Sequence, residues 1–279
     1  MRYNAKTLCC RVSALLFLVA GAGLADEVDT ATLRQAAEQG NPVAQLRLAL
    51  RIDPGVTTFS AGLPDLEDAD PEAYVEAAKW YRLAAAQGEP GAQRVLGRLY
   101  LRGNGVEQNV CESARWYHRA AVQGDRLAQH RLGELYATDG ALQDYTVAAW
   151  WYRRAAEQGH TGARWGLGQL YRDGKGVPQD YVAAYRWIHL AALDSCEPSD
   201  IALPSGVTVR RLCTAHDERD RLAQLMPSEQ IEEARRAARD WHATNQRSPG
   251  EWYKANRDAP VWRSEVACQR TTAVASADS

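Results

Sequence analysis

The sequence predicts an all-α fold, a right-handed α-α superhelix of stacked helix pairs, and three observations carry that expectation. The stretch W-Y-x-x-A-A-x-x-G recurs from Trp80 to Gly88, Trp116 to Gly124 and Trp151 to Gly159, with a weaker copy from Trp187 to Ser195. Its tryptophans stand 36, 35 and 36 residues apart, and a fixed period of this size marks a stacked-repeat chain. A second motif, L-G-x-L-Y, keeps the same period at Leu96 to Tyr100, Leu132 to Tyr136 and Leu167 to Tyr171.

Residues 1–25 stand apart. Arg2, Lys6 and Arg11 precede an apolar run from Val12 to Ala20, and small residues lead to Ala25. A charged head, a short apolar middle and a small-residue exit describe a secretory signal peptide. Its removal leaves 30 basic against 35 acidic residues, a net charge of −5, which argues against general nucleic-acid binding. The apolar run is too short to span a bilayer, and no other stretch suits a membrane span. The expected location is periplasmic or secreted.

Residues 26–40 end in Ala36-Ala37-Glu38-Gln39-Gly40 and so read as an N-terminal half-repeat. Four helix pairs are expected over residues 41–195. Within them, Asp53-Pro54-Gly55 and Gly62-Leu63-Pro64 mark residues 52–70 as an inserted loop. In each regular unit an alanine (Ala92, Ala128, Ala163) precedes the motif leucine by four residues, so the two share a helix face. The following glycine costs about 1 kcal/mol in a helix, so its recurrence implies close approach of a neighbouring helix. Gly103-Asn104-Gly105 and Gly174-Lys175-Gly176 then turn the chain, while the middle unit has Thr138-Asp139-Gly140 and is one residue shorter. Asp144 and Asp180 are N-cap residues for the second helices. Gly88, Gly124 and Gly159 occupy the position after the helix where a left-handed residue belongs. Residues 196–246 read as a loop followed by capping helices, the last starting at Pro227-Ser228 with Ile231, Ala234, Ala238 and Trp241 on one face. Residues 247–279 form a tail without a clear period.

The order A-x-x-x-L-G-x-x-Y, G-x-G-V, D-Y, W-Y-x-x-A-A-x-x-G resembles the Sel-one-like repeat family, a branch of the tetratricopeptide-like solenoids. Ordinary tetratricopeptide repeats, with a 34-residue period and a shorter loop, are the second choice. Departures are Ile188 for tyrosine, Ser195 for glycine, Asp139 for the first loop glycine, and the insertion. The resemblance implies a non-catalytic protein-interaction scaffold of the cell envelope, with possible ties to polysaccharide machinery. A glycan- or peptidoglycan-binding repeat protein is the alternative. Some cysteine-rich relatives are linked to β-lactam binding or weak hydrolysis, but those carry a disulfide in each repeat and this chain does not.

Nothing in the sequence asks for a cofactor, a metal or catalysis. His118 and His189 occupy one repeat position that Arg82 and Arg153 fill in other copies, which makes it a polar surface position. No metalloprotease motif, nucleophile elbow or phosphate-binding loop occurs. Function should therefore lie where the copies differ. Two before the motif leucine stand Arg94, His130 and Trp165; two after it stand Arg98, Glu134 and Gln169. Each pair is four apart and shares a helix face. First helices of solenoids line the concave binding surface, so these six are the expected partner-binding residues. Four cysteines remain beyond residue 25, which in an exported chain suggests two disulfides. Cys196 and Cys213 bracket the irregular stretch and are the favoured pair.

Overall fold

The computed structural model describes residues 29–55, 70–138, 140, 142–194, 200–202, 208–210 and 214–245. Eleven helices occur among them: α1 (Thr30–Glu38), α2 (Pro42–Ile52), α3 (Pro71–Ala86), α4 (Pro90–Arg102), α5 (Val110–Val122), α6 (Arg126–Thr138), α7 (Tyr145–Glu157), α8 (Thr161–Asp173), α9 (Tyr181–Leu193), α10 (Thr214–Leu225) and α11 (Ser228–Asn245). Each helix from α1 to α9 packs on the next in sequence, and α10 and α11 both pack on α9. The stretch expected as an irregular loop contains a small antiparallel hairpin, β1 (Asp200–Ala202) with β2 (Thr208–Arg210). The architecture is otherwise the expected all-α solenoid.

Local chemistry explains the helix limits. Pro42 and Pro90 open their helices at a position where a missing N–H costs nothing. Asp144 accepts from the Thr146 and Val147 amides, and Asp180 from that of Ala183. Gly40, Gly88, Gly124 and Gly159 have φ between 81° and 95° and stop α1, α3, α5 and α7.

The two recurring motifs meet inside each pair. A Cβ on Gly97 would stand 2.9 Å from the Tyr117 ring, and one on Gly133 would stand 2.6 Å from the Tyr152 ring. In the last pair Ile188 takes the tyrosine's place against Gly168. The motif glycines are therefore sockets for the second residue of W-Y, and any side chain there would overpack the pair. Trp151 and Trp187 are buried, whereas Trp80 and Trp116 are half-buried against their core cluster. The alanines that follow are almost fully enclosed.

Between pairs, a relay of glutamines that the motif reading passed over joins the stack. Gln45, Gln93 and Gln129 are buried, and each donates to the carbonyl of Ala37, Ala85 or Ala121 on the helix before, at 3.0, 3.1 and 3.0 Å. Each accepts in turn from Gln87, Gln123 or Gln158 after the following helix, at 2.8, 2.8 and 2.7 Å. Each pair thus spans three consecutive helices. In the last triplet Arg164 replaces the first glutamine and Asp194 the second, and the two form an ion pair. Arg164 also donates to the Ala156 carbonyl at 3.2 Å and lies 4.9 Å from the Trp241 ring of α11.

A candidate partner groove between α6 and α8

Four of the six expected binding residues share one groove. His130 and Glu134 on α6, with Trp165 and Gln169 on α8, line a recess of about 600 Å³. Arg131, Tyr145, Tyr152, Asp173 and Lys175 complete its polar wall. The floor is apolar, from Leu101, Leu135 and Leu170.

Arg94 and Arg98 do not join it. The Arg94 guanidinium binds Asp125 at 2.9 Å, and Asp125 in turn accepts from the Ala128 amide as α6 begins. Arg98 binds the fully buried Asp53 at 2.9 Å. That carboxylate also accepts from the Tyr81 hydroxyl at 3.1 Å and the Gly55 amide at 2.9 Å. Both arginines thus tie neighbouring elements together.

Within the groove the aromatic wall is built tightly. The His130 and His160 rings stack at 4.2 Å, and Tyr152 stands 5.8 Å from His130. The His160 Nδ1 accepts from the Ala163 amide at the start of α8. A Cβ at position 162 would approach His130 Nε2 to 2.8 Å, so a larger residue there would push the imidazole aside. Burial lowers the His130 imidazole to about 4, with Arg131 adding to the effect. Burial, followed by His130, Arg126 and Arg131, lowers His160 to about 4 against the opposing pull of Glu134. Both rings are therefore neutral at ordinary pH, and burial also pushes the Tyr152 phenol up. These are the properties of a packed wall rather than of proton carriers.

The charges facing the groove are matched. Glu134 accepts from Arg131 at 2.7 Å, and Lys175 stands 3.3 Å from Asp173. On the α8 side of the groove, two polar groups stand unmatched. The Trp165 indole N–H is buried without an acceptor, and the Gln169 amide makes no hydrogen bond. A buried unpaired donor costs about 1–3 kcal/mol. The groove thus offers the Gln169 amide to neutral polar groups and no net field to a polyanion. The sequence reading missed Arg131, Tyr145, Asp173 and Lys175. Lys175 carried a signal, since it replaces Asn104 within the loop motif. Tyr145 and Asp173 carried none, because they enter only through the ends of α7 and α8.

Among the described residues, no helix is long and apolar enough to cross a membrane, and no cluster of three or more His, Cys, Asp or Glu residues could hold a metal ion. Cys111 on α5 is disulfide-bonded. The expected partners Cys196 and Cys213 lie outside the described residues.

Helix pairs stacked in sequence order, with successive core clusters between them and a groove between first helices, define an α-α repeat protein. Residues 62–89, 90–125, 126–160 and 162–195 each match the Sel1 repeat, so the chain carries four Sel1 repeats. Among solved structures, it is similar to a Sel1 repeat protein from Oxalobacter formigenes, with 35% identity over 60% of this chain and 45% of that one, at a TM-score of 0.48. It is also similar to a protective antigen of uropathogenic Escherichia coli that displays an SLR fold, with 26% identity over 83% of this chain and 52% of that one, at a TM-score of 0.41. An immunity protein from Pseudomonas aeruginosa matches with 18% identity over 69% of this chain and 67% of that one, at a TM-score of 0.36. The chain spans about half the length of the first two. No curated protein matches it. Sel1 repeats generally mediate protein–protein interaction, and proteins built from them are typically non-enzymatic scaffolds.

Proposed function

We propose that the chain is an exported, non-catalytic scaffold of the cell envelope that receives a polypeptide partner in the α6–α8 groove. In this reading α1 is a half-repeat that starts the stack, and α10 with α11 closes it. The observation that carries the proposal is the pairing of a buried, unpartnered Trp165 N–H with the unbonded Gln169 amide, one helical turn apart, on a groove whose charges are already matched. A polypeptide main chain supplies the carbonyls and amides that such a wall accepts. A polyanionic glycan would find no net positive field there. The charged head and apolar run of residues 1–25 support export, as does the disulfide at Cys111, since such bonds persist in oxidising compartments.

A photo-cross-linker at Gln169 tests the groove in living cells. The expected adduct is a polypeptide that disappears when Trp165→Ala is added and persists when Arg94→Ala is added, because Arg94 lies outside the groove. An adduct indifferent to Trp165, or retention on polysaccharide in place of a protein adduct, would overturn the reading. Fractionation with N-terminal sequencing tests export, and the expected mature start is Asp26.

A further inference from the structure

Helices α2 to α9 all begin on a side-chain acceptor, and the acceptor is an oxygen everywhere except at α8. Asn41, Asp70, Glu89, Asn109, Asp125, Asp144 and Asp180 cap seven of them through an amide or carboxyl oxygen. At α8 the cap is His160, whose Nδ1 accepts from the Ala163 amide at 3.2 Å. We infer that His160 is an acid-released latch on the groove: a ring that takes up a proton lets go of α8, and the wall that carries Trp165 loosens.

The chemistry of the cap makes the exception matter. A carboxylate that gains a proton keeps a carbonyl oxygen to accept with, and an asparagine amide has no proton to gain in this range. A protonated imidazole has only donors. Its Nδ1–H would face the Ala163 N–H, a donor against a donor, and the cation would stand at the positive end of the helix dipole. Among these eight caps, His160 is therefore the one that protonation converts from holding its helix to repelling it.

The surroundings do little to offset that charge. His130 stacks on His160 at 4.2 Å with 22° between the planes, so a proton on either ring disfavours one on the other. From α6, Arg126 and Arg131 also repel a charge on His160, and Glu134 attracts it. Glu134 is already held by Arg131 at 2.7 Å and stands 3.7 Å from His130 Nε2. From α7, Tyr152 packs against His130 at 5.8 Å, and Glu157 faces Arg153, Arg154 and Arg186. Arg164 of α8 lies by the turn, 3.6 Å from where a Cβ on Gly159 would stand, and is paired with Asp194 past the end of α9. Space is short as well, since a Cβ on Gly162 would stand 2.8 Å from His130 and 3.3 Å from His160. Burial, the largest influence, holds the capped His160 ring at about 4.

A frayed first turn lets His160 protonate near its ordinary value of 6.5, while the capped ring resists down to about 4. The cap's contribution is thus complete above pH 6.5 and is lost as the pH falls toward about 4. The loss falls on the groove, because Gly162, Trp165, Gly166 and Gln169 line it from α8 and His130 lines it from α6. A partner held at neutral pH is released in mild acid. That consequence rests on the groove reading, whereas the latch itself does not.

Hydrogen exchange of the full chain at pH 7.5 and pH 5.0, expressed as protection relative to the free-peptide rate, tests the latch without a partner. Peptides covering the first turn of α8 should lose protection by about tenfold or more at the lower pH. The starts of α4 and α6, capped by Glu89 and Asp125, should keep theirs. His160→Asn, which caps without titrating, should retain protection at both pH values, and His160→Ala should be poorly protected at both. Equal protection of the wild-type turn at the two pH values would overturn the inference, as would a His160→Asn chain that loosens as far as the wild type. The Gln169 cross-link, repeated at the same two pH values, separates this inference from the groove reading. An adduct that fades in acid in the wild type and persists in His160→Asn supports the release, and an adduct equally strong in acid overturns it. No adduct at either pH overturns the groove reading, and the exchange data then decide the latch by themselves.

Discussion

At the first three helix triplets of the stack a glutamine amide sits between neighbours, while at the last the same slot holds Arg164. The difference follows from what each group can do. Gln45, Gln93 and Gln129 donate to one helix and accept from the glutamine after the next. Arginine has no acceptor, so its partner must be one, and Asp194 stands where Gln158 stood one repeat earlier. The larger cation also reaches the Trp241 ring, which no glutamine does in the other triplets. The amide slot is the same from triplet to triplet, so any repeat can follow any other there. The charged slot accepts one neighbour, α11, and so marks where the stack ends.

Three substitutions test this contrast. Asp194→Ala leaves a guanidinium whose side chain is only 6% exposed without its counter-charge. It should cost about 2–3 kcal/mol by denaturant unfolding, the low end for a broken buried pair because Asp194 is itself partly exposed. A loss below about 0.5 kcal/mol would mean the pair is a surface contact. Gln129→Ala leaves the Ala121 carbonyl and the Gln158 amide unmet and should cost about 1–2 kcal/mol. It should leave the attachment of α11 unchanged, as read by the rate of proteolysis after residue 225. The double change Arg164→Gln with Asp194→Gln rebuilds the inner relay at the end. Its stability should lie within about 1 kcal/mol of the parent, yet α11 should become the first element cleaved. If α11 resists protease as before, the slot does not specify the end.

The fold was legible because its scaffold residues repeat. Gly97 and Gly133 could be read as close-approach positions before Tyr117 and Tyr152 were known to fill them. The glutamine relay was equally periodic, but it was hidden inside motifs read as helix endings. Of the candidate site, His130, Glu134, Trp165 and Gln169 were legible because they vary on one face of equivalent helices. Arg94 and Arg98 share that face and variability, so the pattern could not separate them. What distinguishes them is a partner outside the repeat frame. The Arg98 partner, Asp53, is 45 residues upstream at the edge of an insertion that breaks the period. The Arg94 partner, Asp125, is 31 residues downstream, at the start of α6.

The amide relay also sets how the stack responds to its medium. Side-chain amides carry no charge for salt to screen, so the three glutamine contacts themselves are indifferent to ionic strength. The Arg164–Asp194 joint is ionic, and Asp194 is 37% exposed, within reach of added ions. Added salt therefore weakens the Arg164–Asp194 joint at the α11 end more than it weakens the three amide joints.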